Sequence, residues 1–147
     1  PETYTLSLHD ALPISIDSLV TRITTNDVRG IWDDDCIEFF LDPEGSRSQS
    51  IQFIVNANGV LMNAKKVDGV RTAARKMPGR WTAEIFIPIA GLSNAMPVAA
   101  PKINGIWYGN FTRNRPRDGK ANFQRWNSKG AAAHRDFTAF GKLKFVE

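Results

Sequence analysis

The alternating pattern at residues 36–41 constrains the fold of this chain more than any other feature. Ile37, Phe39 and Leu41 are apolar and are separated by single residues, the first of which is Glu38. A period of two residues is typical of a β-strand that buries at least one face. A Glu inside such a strand lowers stability unless it faces water or has a partner. The pattern therefore predicts a strand with one apolar face and one polar position.

An aromatic residue, Trp32, precedes this strand and is followed by three consecutive aspartates. Its acidic surroundings indicate a side chain at the surface, whereas Trp81 and Trp107 lie inside alternating patterns that favour the core. An aromatic face with a polar rim is the general form of a specific ligand pocket. Trp32 and Glu38 together therefore predict a surface that holds a polar ligand with an apolar face, and a sugar is such a ligand.

The whole chain has the pattern of an all-β sandwich. Strand patterns recur with turn signals between them, among them a hairpin signal at Asn58-Gly59. No segment predicts a helix longer than about two turns, well below the usual mean of about 11–12 residues, so parallel βαβ units are not expected. Strands are predicted at 18–24, 36–41, 51–56, 60–64, 81–87, 106–113, 122–126 and 140–146, with a short helical turn at 89–93 and an ambiguous segment at 69–76.

The composition agrees with one globular domain. A chain of 147 residues can bury a real core, and no apolar run approaches membrane-spanning length. The net charge of +4 permits an anionic partner without requiring one. The single cysteine, Cys36, allows no internal disulfide, and its place in a strand pattern is typical of a small buried apolar residue.

A series of motifs resembles the family 9 carbohydrate-binding modules. The first is Trp-x-x-Asp-x-x-Glu-x-Phe, formed by Trp32, Asp35, Glu38 and Phe40. The resemblance spans about residues 27–146 and implies an antiparallel, jelly-roll-like β-sandwich that binds saccharide and catalyses no reaction. The later motifs follow in the family's order at 52–56 with Gly59, 81–88, 107–113, Trp126 and 140–143.

The resemblance also implies which residues bind the sugar. In sugar-binding members two aromatic residues clamp the ligand, and their positions correspond to Trp32 and His134. Glu38 and Asn56 match positions that contact sugar hydroxyls, and Arg113 matches a family arginine. Two further contact positions hold Ile54 and Ala131 here, which implies a changed or weakened ligand preference. The predicted carbohydrate-binding residues are Trp32, Glu38, Asn56, Arg113, Trp126 and His134.

The N-terminal segment 1–15 differs from the rest of the chain. It has no clear periodicity, and residues 4–14 resemble a translated sequencing adapter. We therefore expect it to stand outside a domain at 16–147. Family members carry further strands before the tryptophan motif, so the resemblance implies a domain that lacks N-terminal strands. It also implies a bacterial protein that is secreted, periplasmic or on the cell surface, with its signal not visible, and a possible covalent link to a catalytic domain.

The acidic segment at 33–42 suggests a metal site and no catalytic one. Calcium takes about six to eight oxygen ligands, and because the family sometimes binds calcium, Asp34 and Asp35 are candidate ligands. The alternative is a solvated loop with one structural aspartate. Glycoside hydrolysis needs two carboxylates at a fixed separation, and nothing in this segment fixes such a pair. No catalytic residue is predicted.

Two other functions stay open. The basic residues of 113–129, with Phe123 and Trp126 between them, could bind nucleic acid through phosphates and stacked bases, or an acidic sugar. Met62 and His134 could instead hold haem, as in some related sandwich domains. Salt dependence would identify the first and visible absorbance the second. We expect a saccharide partner and neither nucleic acid nor membrane.

Overall fold

The computed structural model describes residues 3–9, 19–96, 98, 105–117, 120, 122–127 and 136–145, the first of these ranges by its backbone. These residues form two antiparallel β-sheets and little helix. The strands are β1 (Thr3–His9), β2 (Cys36–Asp42), β3 (Ile51–Asn56), β4 (Leu61–Asn63), β5 (Arg71–Met77), β6 (Arg80–Pro88), β7 (Ile106–Asn114), β8 (Phe123–Arg125) and β9 (Gly141–Lys144), and the helix is α1 (Ile89–Ala95).

The larger sheet places β2 at its centre. Its order is β4-β3-β2-β7-β8, and β9 also pairs with β7. Strand β9 takes the first half of β7, from Ile106 to Gly109, while β8 pairs with its last three residues. The smaller sheet has the order β1-β6-β5. Because β2 and β7 are neighbours although far apart in sequence, residues near 38 and near 112 come together.

The core lies between the two sheets. Phe39 stacks on Phe53 and on Phe111, with ring centroids 6.5 and 4.7 Å apart. The smaller sheet contributes the inward residues of β6, among them the fully buried Trp81. Burying such a side chain stabilises the fold by about 2–3 kcal/mol. This packing defines the inner face of the larger sheet, and the outer face is the one that points away from the smaller sheet.

The all-β prediction is confirmed. The strands expected at 36–41, 51–56 and 81–87 are present almost as predicted, the ambiguous segment becomes β5, and the helical turn becomes α1. No helix among the described residues is long and apolar enough to span a membrane. The sandwich class thus follows from alternation and turn signals alone.

Two predictions about the N-terminal part are wrong. The described part of 18–24 is not a strand, because its backbone N–H groups bind the Asp34 and Asp35 side chains instead of a neighbouring strand. Residues 1–15 were expected outside the fold, yet β1 pairs with β6 along its whole length. The pairing covers a β6 edge that would otherwise expose unpaired N–H and C=O groups.

Candidate functional site

A row of side chains crosses the outer face of the larger sheet. Strand register places Ile54 and Thr112 directly opposite Glu38, on its two sides, and Arg125 opposite Thr112. Directly opposed residues of antiparallel strands point to the same face, with Cβ atoms about 4.5–5.5 Å apart. Glu38, Thr112 and Arg125 thus form a continuous line, here called the polar row, and Ile54 continues it with an apolar side chain.

The members of the polar row are buried to different degrees. Glu38 is 2% exposed and Thr112 is 0% exposed, whereas Arg125 is partly exposed at the β8 end. Gln52 donates a hydrogen bond from Nε2 to Glu38 Oε2 at 2.8 Å. The Thr112 hydroxyl has no hydrogen-bond partner among the described residues. Across the sheet, the row therefore contains a carboxylate, then a hydroxyl without a described hydrogen-bond partner, and then a cation.

Trp32 stands at one end of this face. It lies in a short 3-10 helical turn, Ile31–Asp33, whose end is tied to the sheet by a hydrogen bond from Asn114 to the Trp32 carbonyl. Its ring is partly exposed and packs against a small apolar cluster on the outer face that includes Cys36 and Ile54. Trp32 and Glu38 thus lie on one face, Trp32 partly exposed and Glu38 buried, and ligand binding by this face stays a prediction.

Asn56 has a different position from the one expected of a ligand-binding residue. It is fully buried, and its Nδ2 donates to the Ile23 carbonyl at 2.8 Å and to Asp34 Oδ2 at 2.9 Å. Its Oδ1 accepts from the N–H groups of Asn58 and Val60, both at 3.0 Å. An amide has two donor hydrogens and two acceptor positions, and all four are used inside the protein. Sugar contact by Asn56 stays a prediction.

The two candidate calcium ligands bind donors of the protein itself. Asp34 accepts backbone N–H groups of Arg22 and Ile23, both at 2.9 Å. Asp35 Oδ2 accepts from Val20 N–H at 2.8 Å and from the Arg117 guanidinium at 3.2 Å. A cation would compete with these donors for Asp34 and for Asp35 Oδ2, whereas Asp35 Oδ1 is buried without a hydrogen-bond partner among the described residues. Calcium binding by Asp34 and Asp35 stays a prediction. Among the described residues, no group of three or more His, Cys, Asp or Glu side chains could hold a metal.

The other predicted site residues lie elsewhere. Arg113 is opposite Ile37 and therefore on the inner-face side of the sheet. Trp126 packs edge-on against Phe111, with ring centroids 5.5 Å apart, and is 54% exposed. His134 lies outside the described residues, as does Ala131. The structure therefore brings Trp32, Glu38 and Asn56 to the outer face and places Arg113 and Trp126 on the opposite side.

The basic segment does not form one cationic surface in the part of the chain that the structure describes. Arg113 and Arg125 are on opposite faces of the sheet, and Arg117 pairs with the buried Asp35. A phosphate backbone is bound by cations that lie along a common surface, so this distribution does not favour nucleic acid. Met62, the candidate haem ligand, is on the outer face opposite Ile54, and its proposed partner His134 lies outside the described residues.

Cys36 is buried on the outer face, as its strand pattern predicted. Burial, reinforced by the nearby negative charges of Glu38, Asp34 and Asp35, raises the pKa of its thiol well above the usual value of 9.0. The thiol therefore stays protonated at neutral pH and is not a nucleophile.

Similarity to known proteins is visible in three dimensions. No protein-family profile and no curated protein matches the chain by sequence. A family 9 carbohydrate-binding module from Caldicellulosiruptor kristjanssonii, solved with cellotriose, superposes with a TM-score of 0.70 at 16% identity, over 98% of this chain and 69% of that one. The chain has the fold of a family 9 carbohydrate-binding module.

A second solved structure gives the same result. A protein from Bacteroides uniformis, to which carbohydrate binding is provisionally assigned, superposes with a TM-score of 0.67 at 20% identity. The match covers 97% of this chain and 71% of that protein. Both superpositions agree with the family 9 fold implied by the motifs from Trp32 to Leu143.

The sequence did not single out Thr112, and it did not show that Arg125 lies in line with Glu38 across the sheet. Thr112 looks like an ordinary strand residue, and Arg125 is one of several cations in a basic segment. The signal was present in the alternation of 106–113, which separates Thr112 from the core residues Phe111 and Trp107. Only the register between β2, β7 and β8 shows that both residues continue the line from Glu38.

Proposed function

We propose that this chain binds saccharide and catalyses no reaction. The observation that carries the proposal is the partly exposed Trp32 beside the polar row, on one face of a family 9 fold. An aromatic face can pack on the C–H surface of a sugar ring, while a neighbouring carboxylate accepts hydrogen bonds from its hydroxyls. Trp32 would supply the platform, and Glu38 would bind hydroxyl groups.

The wider role is part of the same proposal. A module that binds saccharide without chemistry would hold an attached or partner enzyme near polysaccharide, at the cell surface, in the periplasm or outside the cell. The family 9 module of similar fold was solved with cellotriose, so an oligosaccharide is the ligand class to test first.

The experiment is calorimetric titration with a panel of neutral and acidic oligosaccharides, using Trp32→Ala and Trp126→Ala. The two tryptophans lie on opposite sides of the larger sheet, so each variant is the matched control of the other. We expect Trp32→Ala to lose at least about tenfold in affinity, as for an aromatic hot spot, and Trp126→Ala to bind normally. Denaturation curves would show that both variants are folded.

Three results would change the proposal. Loss of binding only in Trp126→Ala would move the site to the side of Arg113. Equal binding in both variants would exclude both aromatic platforms. No heat with any saccharide from the folded wild-type protein would reject saccharide binding.

A further inference from the structure

The positive charge of the chain is concentrated in the smaller sheet and in the turn before it. Residues 65–80 contain six cationic side chains and one acid, which gives them a net charge of +5 against +4 for the whole chain. The remaining residues are therefore close to neutral. Strand β1, at the other edge of this sheet, contains no acidic residue. A surface with one sign of charge attracts ligands of the opposite sign.

Three of these cations lie on the outer face of the smaller sheet, the face that points away from the larger sheet. Strand register places Arg71 opposite Phe86 and Arg80 opposite Met77, whereas the alternate residues of β6 point into the core. Arg75 shares the face of Arg71, because it lies four residues further along the same strand. All three arginines, here called the arginine face, are exposed, so a ligand can reach them directly.

No carboxylate of the described residues neutralises the arginine face. The Arg71 guanidinium lies 4.5 Å from the centre of the Phe86 ring, and Arg80 contacts the Met77 sulfur at 4.0 Å. Neither these two arginines nor Arg75 forms an ion pair within the described part of the chain. A guanidinium can bind a carboxylate or a sulfate through two parallel hydrogen bonds. The face therefore presents three cations that can each take an anion.

The three arginines form a line and not a pocket. The Cα atoms of Arg71 and Arg75 are four residues, or roughly 13 Å, apart along β5. Arg80, opposite Met77, lies one strand across and roughly 7 Å further along. The positive groups thus extend over roughly 20 Å, which is longer than one sugar unit or one small anion. A linear polymer with anions along its length matches this spacing.

Glu84 indicates which kind of linear polyanion fits. It is exposed on the same face, opposite Ala73 and between the positions of Arg71 and Arg75. Duplex DNA has a negative charge about every 1.7 Å along its axis and would bring phosphates next to this carboxylate. An acidic polysaccharide has hydroxyls between its anionic groups, and a carboxylate accepts hydrogen bonds from hydroxyls. The mixture of three cations with one carboxylate therefore favours a polysaccharide over nucleic acid.

We propose that the arginine face binds an acidic polysaccharide. Its carboxylates or sulfates pair with Arg71, Arg75 and Arg80, and its hydroxyls donate to Glu84. This second site lies on the opposite side of the sandwich from Trp32, so the inference does not rest on the saccharide binding proposed above. A chain with both sites would hold two polysaccharide segments at once.

The test is calorimetric titration with two matched pairs of polymers, at low and at high salt. Polygalacturonate is paired with its fully methyl-esterified form, and dextran sulfate is paired with dextran, so that the members of a pair differ in charge. We expect the acidic member to bind at least about tenfold more tightly, as for several exposed ion pairs, and its affinity to fall as salt rises. The two arms show whether carboxylate or sulfate is preferred.

The first variant is Arg75→Gln/Arg80→Gln, because it leaves the cation–π contact of the face intact. An exposed ion pair contributes up to about fivefold in affinity, so this variant should bind the acidic polymer about fourfold to twentyfold more weakly. The matched control is Lys142→Gln/Lys144→Gln, which removes an equal charge from exposed positions of the larger sheet. It should bind like the wild type, and denaturation curves would show that both variants are folded.

Several results would overturn the inference. Equal losses in the two double variants would mean that net charge alone attracts the polymer, and an unaffected Arg75→Gln/Arg80→Gln would mean that the polymer binds elsewhere. Equal binding of acidic and neutral polymers, or tighter binding of duplex DNA than of any polysaccharide, would also contradict it. Absence of heat with every oligosaccharide, together with polymer binding that the arginine variant weakens, would reject the proposed function and leave the arginine face standing.

Discussion

Two buried polar regions lie near the outer face of the larger sheet, and they use their polar atoms in opposite ways. In the first, the side chains of Asp34 and Asn56 bind the 19–35 segment and the β3–β4 turn, and each of their oxygen and nitrogen atoms has a partner. In the second, the polar row, Thr112 Oγ1 and Arg125 Nε are buried without a hydrogen bond among the described residues. Hydrogen bonds within the protein account for the buried polar atoms of the first region, and they do not account for those two atoms of the second.

The difference shows why residue type alone does not identify a binding site. Asn56 and Glu38 both match ligand-contact positions of the family, and both are buried. The Asn56 amide uses its donors and acceptors within the protein, while Glu38 lies beside a hydroxyl and an Arg125 Nε that have no hydrogen-bond partner among the described residues. A satisfied network stabilises the fold, and an unsatisfied one lowers stability by about 1–3 kcal/mol per group.

The largest effect is expected from Asp34→Ala, which removes the acceptor of three hydrogen bonds, from Arg22, Ile23 and Asn56. The two backbone N–H groups and the amide would lose their partner in a buried place. We expect the free energy of unfolding to fall by about 3 kcal/mol or more, measured by urea denaturation followed by tryptophan fluorescence.

The control for this variant is its exposed neighbour. Asp33 is exposed in the same turn, so Asp33→Ala should change stability by no more than about 0.5 kcal/mol. If Asp34→Ala were as stable as Asp33→Ala, the first region would not be structural, and Asp34 would return as a candidate ligand for a cation.

The opposite result is expected from Thr112→Val in the polar row. The substitution keeps the shape and removes a hydroxyl without a described partner, so the free energy of unfolding should rise by about 1 kcal/mol. Saccharide affinity should stay unchanged, because Thr112 is 0% exposed and its hydroxyl is out of reach of a ligand. Denaturation and calorimetric titration of the same preparation measure both effects.

Thr72→Val provides the contrast. The Thr72 hydroxyl donates to the Gly59 carbonyl at 2.7 Å, so its loss should destabilise the protein by about 1 kcal/mol without changing affinity. A destabilised Thr112→Val would mean that the Thr112 hydroxyl stabilises the fold, and the distinction between the two regions would disappear.

Much of the fold could be predicted because strand signals are local. Alternation within 36–41, 51–56 and 81–87 is enough to define β2, β3 and β6. The same reasoning wrongly predicted a strand at 19–24. Backbone N–H groups of this segment donate to the Asp34 and Asp35 carboxylates and not to a neighbouring strand. Local pattern cannot show which acceptor a backbone N–H will use.

The site was predictable only in part, for a related reason. Trp32 and Glu38 belong to one short motif, and the structure places both on the outer face. Arg125 joins them through the pairing of β2 with β7 and of β7 with β8. This register depends on contacts between segments far apart in the sequence. Arg113 was predicted in the same binding site as Glu38 from the family resemblance, but it lies on the other face.

The smallest effect is expected at Asp27, an exposed counterpart of the Asp34 network. Asp27 Oδ1 accepts the Asn63 N–H at 2.9 Å, and Oδ2 pairs with Lys66 at 2.7 Å. The hydrogen bond from Lys66, followed by that from Asn63, lowers the pKa of Asp27 below its usual value of 3.8. The charged form therefore stabilises the fold above that value, and this contribution is lost as the pH falls through the lower pKa of the folded state.

Asp27→Asn tests this contribution without disturbing the backbone. Asp27 has a φ of 59°, and asparagine tolerates this left-handed conformation about as well as aspartate does. Because both partners are exposed, the loss at pH 7 should be at most about 1 kcal/mol and should shrink in high salt. The stability difference between wild type and variant should shrink as the pH falls below 3.8 and through the lower pKa of the folded state. A difference that stays constant from neutral to acid pH would show that the carboxylate charge has no part in holding the 19–35 segment to β4, and that buried acceptors such as Asp34 hold it alone.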